Sequence, residues 1–525
     1  MATPPRIVII GGGFAGVYAA RALEKLLKPW EAEICLINRE NYFVFQPLLP
    51  EVISGAIGLV ETVSPIRRLC PRTQLYVRDV EAVDLREKIV RMTPATRPRA
   101  LDLPYDFLIM APGTVTDFSG MPGLAEYALP FRTLGDALRL RNRALESLEE
   151  AAIEKDEWFR KRLLTFVISG AGFSGVEVAA ELNDFLRAAV KDFRSLNAEE
   201  IQVILVHSRE RILPEMAPEL AEYAQKLLAK RGVTLKLGVR VKSCTADTVI
   251  LNNGDWIEAR TVISTVPSAL TPLVAAMDCK KEKGRLVVNG QLEMAGFEGQ
   301  AWALGDCATI MMSDGTAAPP TAQHATREAY VAAANIVACV RGNSDRRTFN
   351  FAGLGKLGSL GHHSAVAEVF GMKISGFPAW VLWRTIYLMK MPGLDRKLRV
   401  GLDWFTGMLF KTDLVQLRVQ TSSNITNEHF EAGQIVFEQG DAPDRLYIIQ
   451  KGEVEVLRDG ERLASIGEGE SFGEMGLLTN SPRNATIRAS KPTDVVAITK
   501  GDVTQLLNNF PELRAGLQGI AEKRK

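Results

Sequence analysis

An α/β fold in two doubly wound units, followed by an amphipathic helical tail and a small β-roll, is what this 525-residue sequence predicts. Three observations predict it. The apolar run Ile7-Val8-Ile9-Ile10 leads straight into Gly11-Gly12-Gly13-Phe14-Ala15-Gly16. A second run, Leu164-Thr165-Phe166-Val167-Ile168, leads into Gly170-Ala171-Gly172-Phe173-Ser174-Gly175. Each reads as a buried strand, a tight turn and a helix start. The last region instead alternates apolar and polar residues between glycines, as in Ile435-Val436-Phe437, Leu446-Tyr447-Ile448-Ile449 and Val454-Glu455-Val456-Leu457. Short strands with glycine turns read as a β-roll of the jelly-roll kind.

The first unit is expected over 1–116. Its glycines let the backbone approach a pyrophosphate at the helix N-terminus, where free N–H groups and the positive dipole end meet the charge. One such turn is weak evidence. Two in strand–turn–helix context make two Rossmann-like units and imply two dinucleotides face to face, the arrangement for hydride transfer from a nicotinamide to a flavin. The second strand, Glu33-Ile34-Cys35-Leu36-Ile37, ends at Asn38-Arg39, where an acid ordinarily accepts the ribose hydroxyls. An amide accepts them without charge assistance, and a plain turn asparagine is the other reading.

A helical bridge, rich in Leu, Ala, Glu and Arg, is expected over 117–162, and the second unit over 163–285. There the strand Ile201-Gln202-Val203-Ile204-Leu205-Val206 ends at His207-Ser208-Arg209. No acid stands there to repel a 2′-phosphate, so NADPH is expected beside NADH; Arg209 and Arg211 as solvated loop charges is the alternative. The chain then returns to the first unit over 286–345. A tail occupies 346–419, and a polar linker, 420–424, opens the final region, 420–525.

Composition narrows the classes. A net charge of +1 gives no reason to expect nucleic acid. Six scattered cysteines, without a C-x-x-C pair, argue against a disulfide framework, a metal site and a redox-active cysteine pair beside a flavin. No signal peptide is read at the N-terminus. No uncharged apolar run reaches the roughly 18 residues of a membrane span.

Several stretches resemble known families. Tyr105-Asp106-Phe107-Leu108-Ile109-Met110-Ala111-Pro112-Gly113 and Ala301-Trp302-Ala303-Leu304-Gly305-Asp306 resemble the later motifs of two-dinucleotide flavoproteins, whose final Asp binds the flavin's sugar-alcohol chain. Phe43-Val44-Phe45-Gln46-Pro47-Leu48-Leu49-Pro50 is similar to the Phe-Gln-Pro-Leu-Leu loop of type II NADH dehydrogenases, the single-subunit NADH:quinone oxidoreductases. Gly175-Val176-Glu177 continues that resemblance, as does Ala322-Gln323-His324-Ala325-Thr326-Arg327, which falls at the family's quinone-pocket pattern with Arg327 in place of its second glutamine.

The resemblance implies FAD held by Gly11, Gly13, Phe14, Ala15, Gly16, Asn38, Arg39, Gln46, Val80, Ala111, Gly113, Gly305 and Asp306. It implies NADH or NADPH at Gly170, Gly172, Gly175, His207, Ser208 and Arg209. Glu177, Gln323 and Arg327 are the catalytic candidates, Glu177 orienting the nicotinamide and relaying a proton, Gln323 bonding the quinone or flavin edge. Reduced flavin would then give two electrons to a quinone, without proton pumping.

Two further expectations concern the C-terminal half. Over 377–410, Trp380, Trp383, Tyr387, Trp404, Phe405 and Phe410 alternate with Arg384, Lys390, Arg396, Lys397 and Arg399, which suits a helix lying on a membrane surface. A peripheral place on the cytoplasmic side of the inner membrane follows; packing on the enzyme, or a homodimer contact, is the alternative. Finally, Phe472-Gly473-Glu474-Met475-Gly476-Leu477-Leu478 through Ser481-Pro482-Arg483-Asn484-Ala485 resembles the phosphate-binding cassette of cyclic-nucleotide-binding domains. It implies a regulatory cyclic nucleotide, cAMP before cGMP, at Gly473, Glu474, Arg483, Asn484 and Ala485. Two rival readings stay open: a soluble flavin diaphorase with another acceptor, and a nucleotide or redox sensor with little turnover.

Overall fold

The strand before each glycine turn becomes the middle strand of a five-stranded parallel sheet. In the first sheet the order is Ala301–Ala303, Phe107–Met110, Arg6–Ile10, Glu33–Asn38, Gln74–Val77. In the second it is Ala128–Pro130, Thr261–Ser264, Thr165–Ser169, Gln202–Val206, Val233–Lys236. Parallel strands are covered on both faces, which is why they read as unbroken apolar runs. Ile7, Val8, Ile9, Phe166, Val167 and Ile168 are fully buried, each contributing roughly 1.5–3 kcal/mol of transfer free energy.

This computed structural model describes residues 3–94, 100–118, 121–266, 268–411, 413–417, 425–479, 481–509, 512, 516–517 and 519. The linker 420–424 read from the sequence lies outside them. The chain forms two compact units, Met1–Val77 with Tyr105–Leu417, and Arg78–Pro104 with Arg418–Lys525.

In the larger unit the bridge is two helices, Leu134–Ile153 and Glu157–Leu163. Thr133 and Asp136 close a capping box at the start of the first, satisfying two backbone N–H groups reciprocally. The three-residue strand Ala128–Pro130, too short to show a period, joins the second sheet from within this bridge. The tail begins as an antiparallel sheet, Gly355–Ser359, Ala365–Val369 and Met372–Gly376. Two helices follow, Phe377–Lys390 and Leu394–Leu409, separated at Met391-Pro392-Gly393. On the second, Val400 and Trp404 are buried, while Leu394, Leu398, Leu402, Phe405 and Leu409 form an exposed apolar stripe at helical spacing. Among the described residues no helix is long and apolar enough to cross a membrane.

The smaller unit contains the β-roll, as two four-stranded sheets enclosing Phe437, Tyr447, Ile449, Val454, Phe472, Ile487 and Val495. A helix, Lys500–Asn509, follows the last strand. The antiparallel strands Val80–Asp84, Ile89–Met92 and Leu101–Pro104 belong to this unit, whereas the sequence reading placed them in the first. Nothing in a short antiparallel excursion tells which neighbour it packs against. Val80 opens it, paired with Met92.

Candidate active site and ligand cradle

The two glycine turns are built alike. Gly11 and Gly170 have φ of +106° and +105°, a region side chains rarely adopt. A Cβ at Gly16 would sit 1.8 Å from the Gly11 carbonyl oxygen, and one at Gly175 1.8 Å from that of Gly170. These glycines let helix and strand close on each other. Gly13 and Gly172 differ: a Cβ there meets no atom within 4 Å. The turn is open at these positions, the cradle a pyrophosphate needs.

The residue ending the next strand holds each turn. Asn38 Oδ1 accepts the Gly12 N–H at 2.8 Å, and its amide donates to the Glu40 carbonyl at 2.8 Å. His207 Nδ1 accepts the Ala171 N–H at 3.2 Å. Burial, and then Arg209, push His207 below the usual imidazole range, so it is neutral with its proton on Nε2. That Nε2 is buried with no partner among the described residues, a donor fitting a ribose or phosphate oxygen. Ser208 and Arg209 are exposed beside it, whereas Arg211 turns to the Pro214 and Met216 carbonyls.

Around the first turn, the Ala111 carbonyl lies where a Gly11 Cβ would be. Gly113 and Gly305 have φ of +67° and +68°. The Gly305 N–H donates to Glu328 at 2.7 Å. Asp306 is held by Arg132 at 3.6 Å, and burial raises it against the pull of Arg132 and Arg285. Arg39 and Gln46 are exposed, Gln46 starting a short turn of helix through Leu48. An aromatic band runs from the first glycine helix toward the tail: Phe14 lies 5.0 Å from Phe43 and 5.8 Å from Phe45, Phe45 6.1 Å from Tyr387, and Tyr387 4.8 Å from Trp383.

Glu177, in the first turns of the second glycine helix, is buried, and its Oε1 accepts the Ser359 N–H at 3.0 Å. Burial lifts its pKa to about 8; the Ser359 N–H opposes this in part, while the nearby Glu51 adds to it. The carboxyl is therefore mostly protonated at neutral pH, its charged form disfavoured by about 5 kcal/mol relative to that of an exposed carboxyl. One turn on, Glu181 is also buried and lifted to about 8. Glu51, buried too, accepts from Trp404 Nε1 at 2.6 Å and Arg384 at 3.4 Å. Arg384 lies over Trp380 and Trp404, 4.1 and 4.5 Å from the ring centres.

Sequence reasoning missed Glu51 and Glu181, and it read Arg384 and Trp404 as part of a membrane-facing tail, whereas both bond the buried Glu51. The i, i+4 spacing of Glu177 and Glu181 was the available signal; the others meet only through the fold.

Gln323 is tied at both ends of its amide. Its Nε2 donates to the Gly355 carbonyl at 3.2 Å and its Oε1 accepts the Leu354 N–H at 3.1 Å, leaving one donor and one acceptor position for a ligand. Arg327, one turn later, is exposed and lies over Phe351 at 5.3 Å.

In the roll, Arg483 is buried. It donates to the Gly473 and Arg445 carbonyls at 2.7 Å each and to Asp444 at 3.1 Å, and it covers the Phe437 ring at 4.1 Å. Its Nε has no partner among the described residues. Gly473 has φ +88°, and a Cβ there would meet Arg483 at 2.7 Å. Glu474 and Ala485 are buried, and Asn484 donates to Met475 Sδ at 3.4 Å. A buried guanidinium with a spare N–H suits a phosphate oxygen.

Known proteins match both units. Residues 5–329 match the pyridine nucleotide-disulphide oxidoreductase family, 354–413 the NDH2 C-terminal domain, and 427–510 the cyclic nucleotide-binding domain. The type II NADH:quinone oxidoreductase NdhA of Mycobacterium tuberculosis is 32% identical over 422 residues, 76% of this chain and 86% of that protein. The demethylphylloquinone reductase NdbB of a Synechocystis strain is 32% identical over 413 residues, 77% of this chain and 96% of that one. The structure of NDH2 from Plasmodium falciparum in complex with NADH superposes with a TM-score of 0.71 at 18% identity, covering 78% of this chain and 99% of that one.

Proposed function

Because the chain belongs to the type II NADH:quinone oxidoreductases, we propose that it oxidises NADH, accepts NADPH as well, and reduces a quinone at a membrane surface under control of a cyclic nucleotide. The observation carrying the reading is Glu177, a protonated carboxyl buried beside the second glycine turn and the tail sheet.

Gly11, Gly13, Gly16 and Asp306 would hold FAD, and Gly170, Gly172, Gly175 and His207 the nicotinamide nucleotide. Bound FAD supplies the two-electron carrier between the substrates. The protein's share is to orient and to handle protons. The Asn38 and His207 hydrogen bonds fix the two turns and so the register of the two nucleotides. Glu177 stays neutral near pH 7 and can give a proton to a quinone oxygen as charge develops there. Gln323, fixed on the Leu354-Gly355 backbone, offers its second N–H to an acceptor without reorganising. The aromatic band from Phe14 to Trp383, its rings meeting edge to face, gives the region between the first glycine helix and the tail an apolar lining suited to a ring-shaped acceptor.

The neutral His207 donor and the absence of an acid at that strand end support NADPH use. The exposed stripe Leu394, Leu398, Leu402, Phe405 and Leu409 supports a membrane surface. Arg483 with its spare N–H supports a cyclic phosphodiester, cAMP the first candidate.

The test is the oxidation rate of NADH and of NADPH by the FAD-loaded protein with a short-chain quinone, with and without cAMP. Fast turnover with both nucleotides, altered by cAMP, is expected. Flavin reduction without quinone turnover would replace the quinone by another acceptor. No flavin reduction would sink the enzyme reading.

A further inference from the structure

Resting on the reading that the roll takes a cyclic nucleotide, we infer that the sheet at Arg78–Pro104 is the platform through which the roll acts on the first glycine turn. Three observations carry it. First, this sheet shares a compact unit with the roll, and Lys500 Nζ lies 3.9 Å from Glu81 on its first strand. Second, Lys500 is tied to the phosphate cassette: its backbone N–H donates to the Asp444 carbonyl at 2.7 Å, and the Asp444 carboxylate accepts from Arg483 at 3.1 Å. Third, the sheet is spliced between two strands of the first parallel sheet, Gln74–Val77 before it and Phe107–Met110 after it.

Both splice points lead to the same place. Val77, the residue before Arg78, stands in register with Asn38, whose side chain holds the Gly12 N–H. Phe107–Met110 leads into Ala111, whose carbonyl abuts Gly11. The platform is thus joined by the chain at both ends to residues that support the turn.

A phosphate drawn to Arg483 competes with Asp444 for the guanidinium. Asp444, released, loosens its hold on the Lys500 backbone and so on the Lys500–Glu81 pair. The ligand works by its unequal affinity for the coupled and uncoupled arrangements.

The test uses the full-length, FAD-loaded protein, with Glu81→Lys, Lys500→Glu and the charge-swapped double variant. Hydrogen exchange of peptides covering 74–84 and 8–17 is read without nucleotide. Exchange should speed up by about two- to fivefold in each single variant, as befits a partly exposed ion pair, and recover in the double variant. Calorimetry with cAMP and cGMP is run on the same samples. The single variants should bind as the wild type does but lose its rate response. Unchanged exchange in both single variants, or a full rate response in them, overturns the platform. Absence of binding by the wild type overturns the cyclic-nucleotide reading instead, and the exchange data still decide the platform.

Discussion

Glu51 and Trp404, far apart in sequence, meet through a 2.6 Å hydrogen bond from the indole to the carboxylate. Glu51 lies in the short helix Leu49–Ser54, just beyond the Phe45-Gln46-Pro47 loop, and Trp404 lies on the buried face of the last tail helix. Arg384, from the other tail helix, completes the group, and Glu61 nearby takes Arg396 at 2.7 Å. The tail is thus pinned by charge to the segment that carries the loop.

Removing the cation should harm more than neutralising the anion. Arg384→Met leaves Glu51 with only the indole for a partner, and because burial raises its pKa the stability loss should be largest at alkaline pH, where the carboxyl is charged. Glu51→Gln should cost less. Urea unfolding of both variants checks the order, and the Arg384→Met deficit should shrink as the pH falls, because burial raises Glu51 and favours its taking up a proton.

Glu177 should set an alkaline limb in quinone reduction. Its pKa of about 8 means the proton donor is present below that pH and lost above it. Glu177→Gln should lower kcat by about 10²-fold and remove the limb, read from stopped-flow pH profiles. Stability falls in the same direction, over a lower range of pH. The folded state keeps the proton that the unfolded chain gives up near 4.5, so stability falls as pH rises from about 4.5 to about 8. The Gln variant should lose Glu177's share of that slope.

His207→Asp should separate the two nucleotides. A carboxylate at that strand end repels a 2′-phosphate while still accepting ribose hydroxyls. The expected result is about a tenfold fall in kcat/KM for NADPH, with NADH changed far less.

Arg483→Ala should cost the roll its ligand and some stability. Calorimetry is expected to show cAMP binding weakened by at least about tenfold, since a charge-assisted contact is lost. The Gly473 and Arg445 carbonyls also lose their donor, and the variant roll should melt earlier.

Much of this was legible in the chain because strong local patterns carried it. Apolar runs and glycine turns fixed the two middle strands, and the tail read correctly as amphipathic with a break at Pro392-Gly393. Glu177 was visible through its place after Gly175. What it meets was not: Ser359, Glu51 and Trp383 come from separate elements, and burial, with Glu51 beside it, lifts Glu177 to about 8 while Ser359 and Trp383 oppose the lift. Asn38 was read as a ligand residue, yet the structure shows its oxygen already engaged by Gly12. The allegiance of 78–104 to the roll left no periodic trace, because the pairs that decide it are single contacts such as Glu81 with Lys500.

Gly13 and Gly172 part folding from colour. Both have ordinary negative φ, and a methyl group on either touches no protein atom. Alanine at these positions should leave the melting temperature of the cofactor-free chain where it was. Yet at Gly13 that methyl would fill the ground proposed for a pyrophosphate, so the purified Gly13→Ala protein should come off the column well folded and without the yellow of a flavin. A screen that scores only solubility would pass such a variant; one that scores absorbance would reject it.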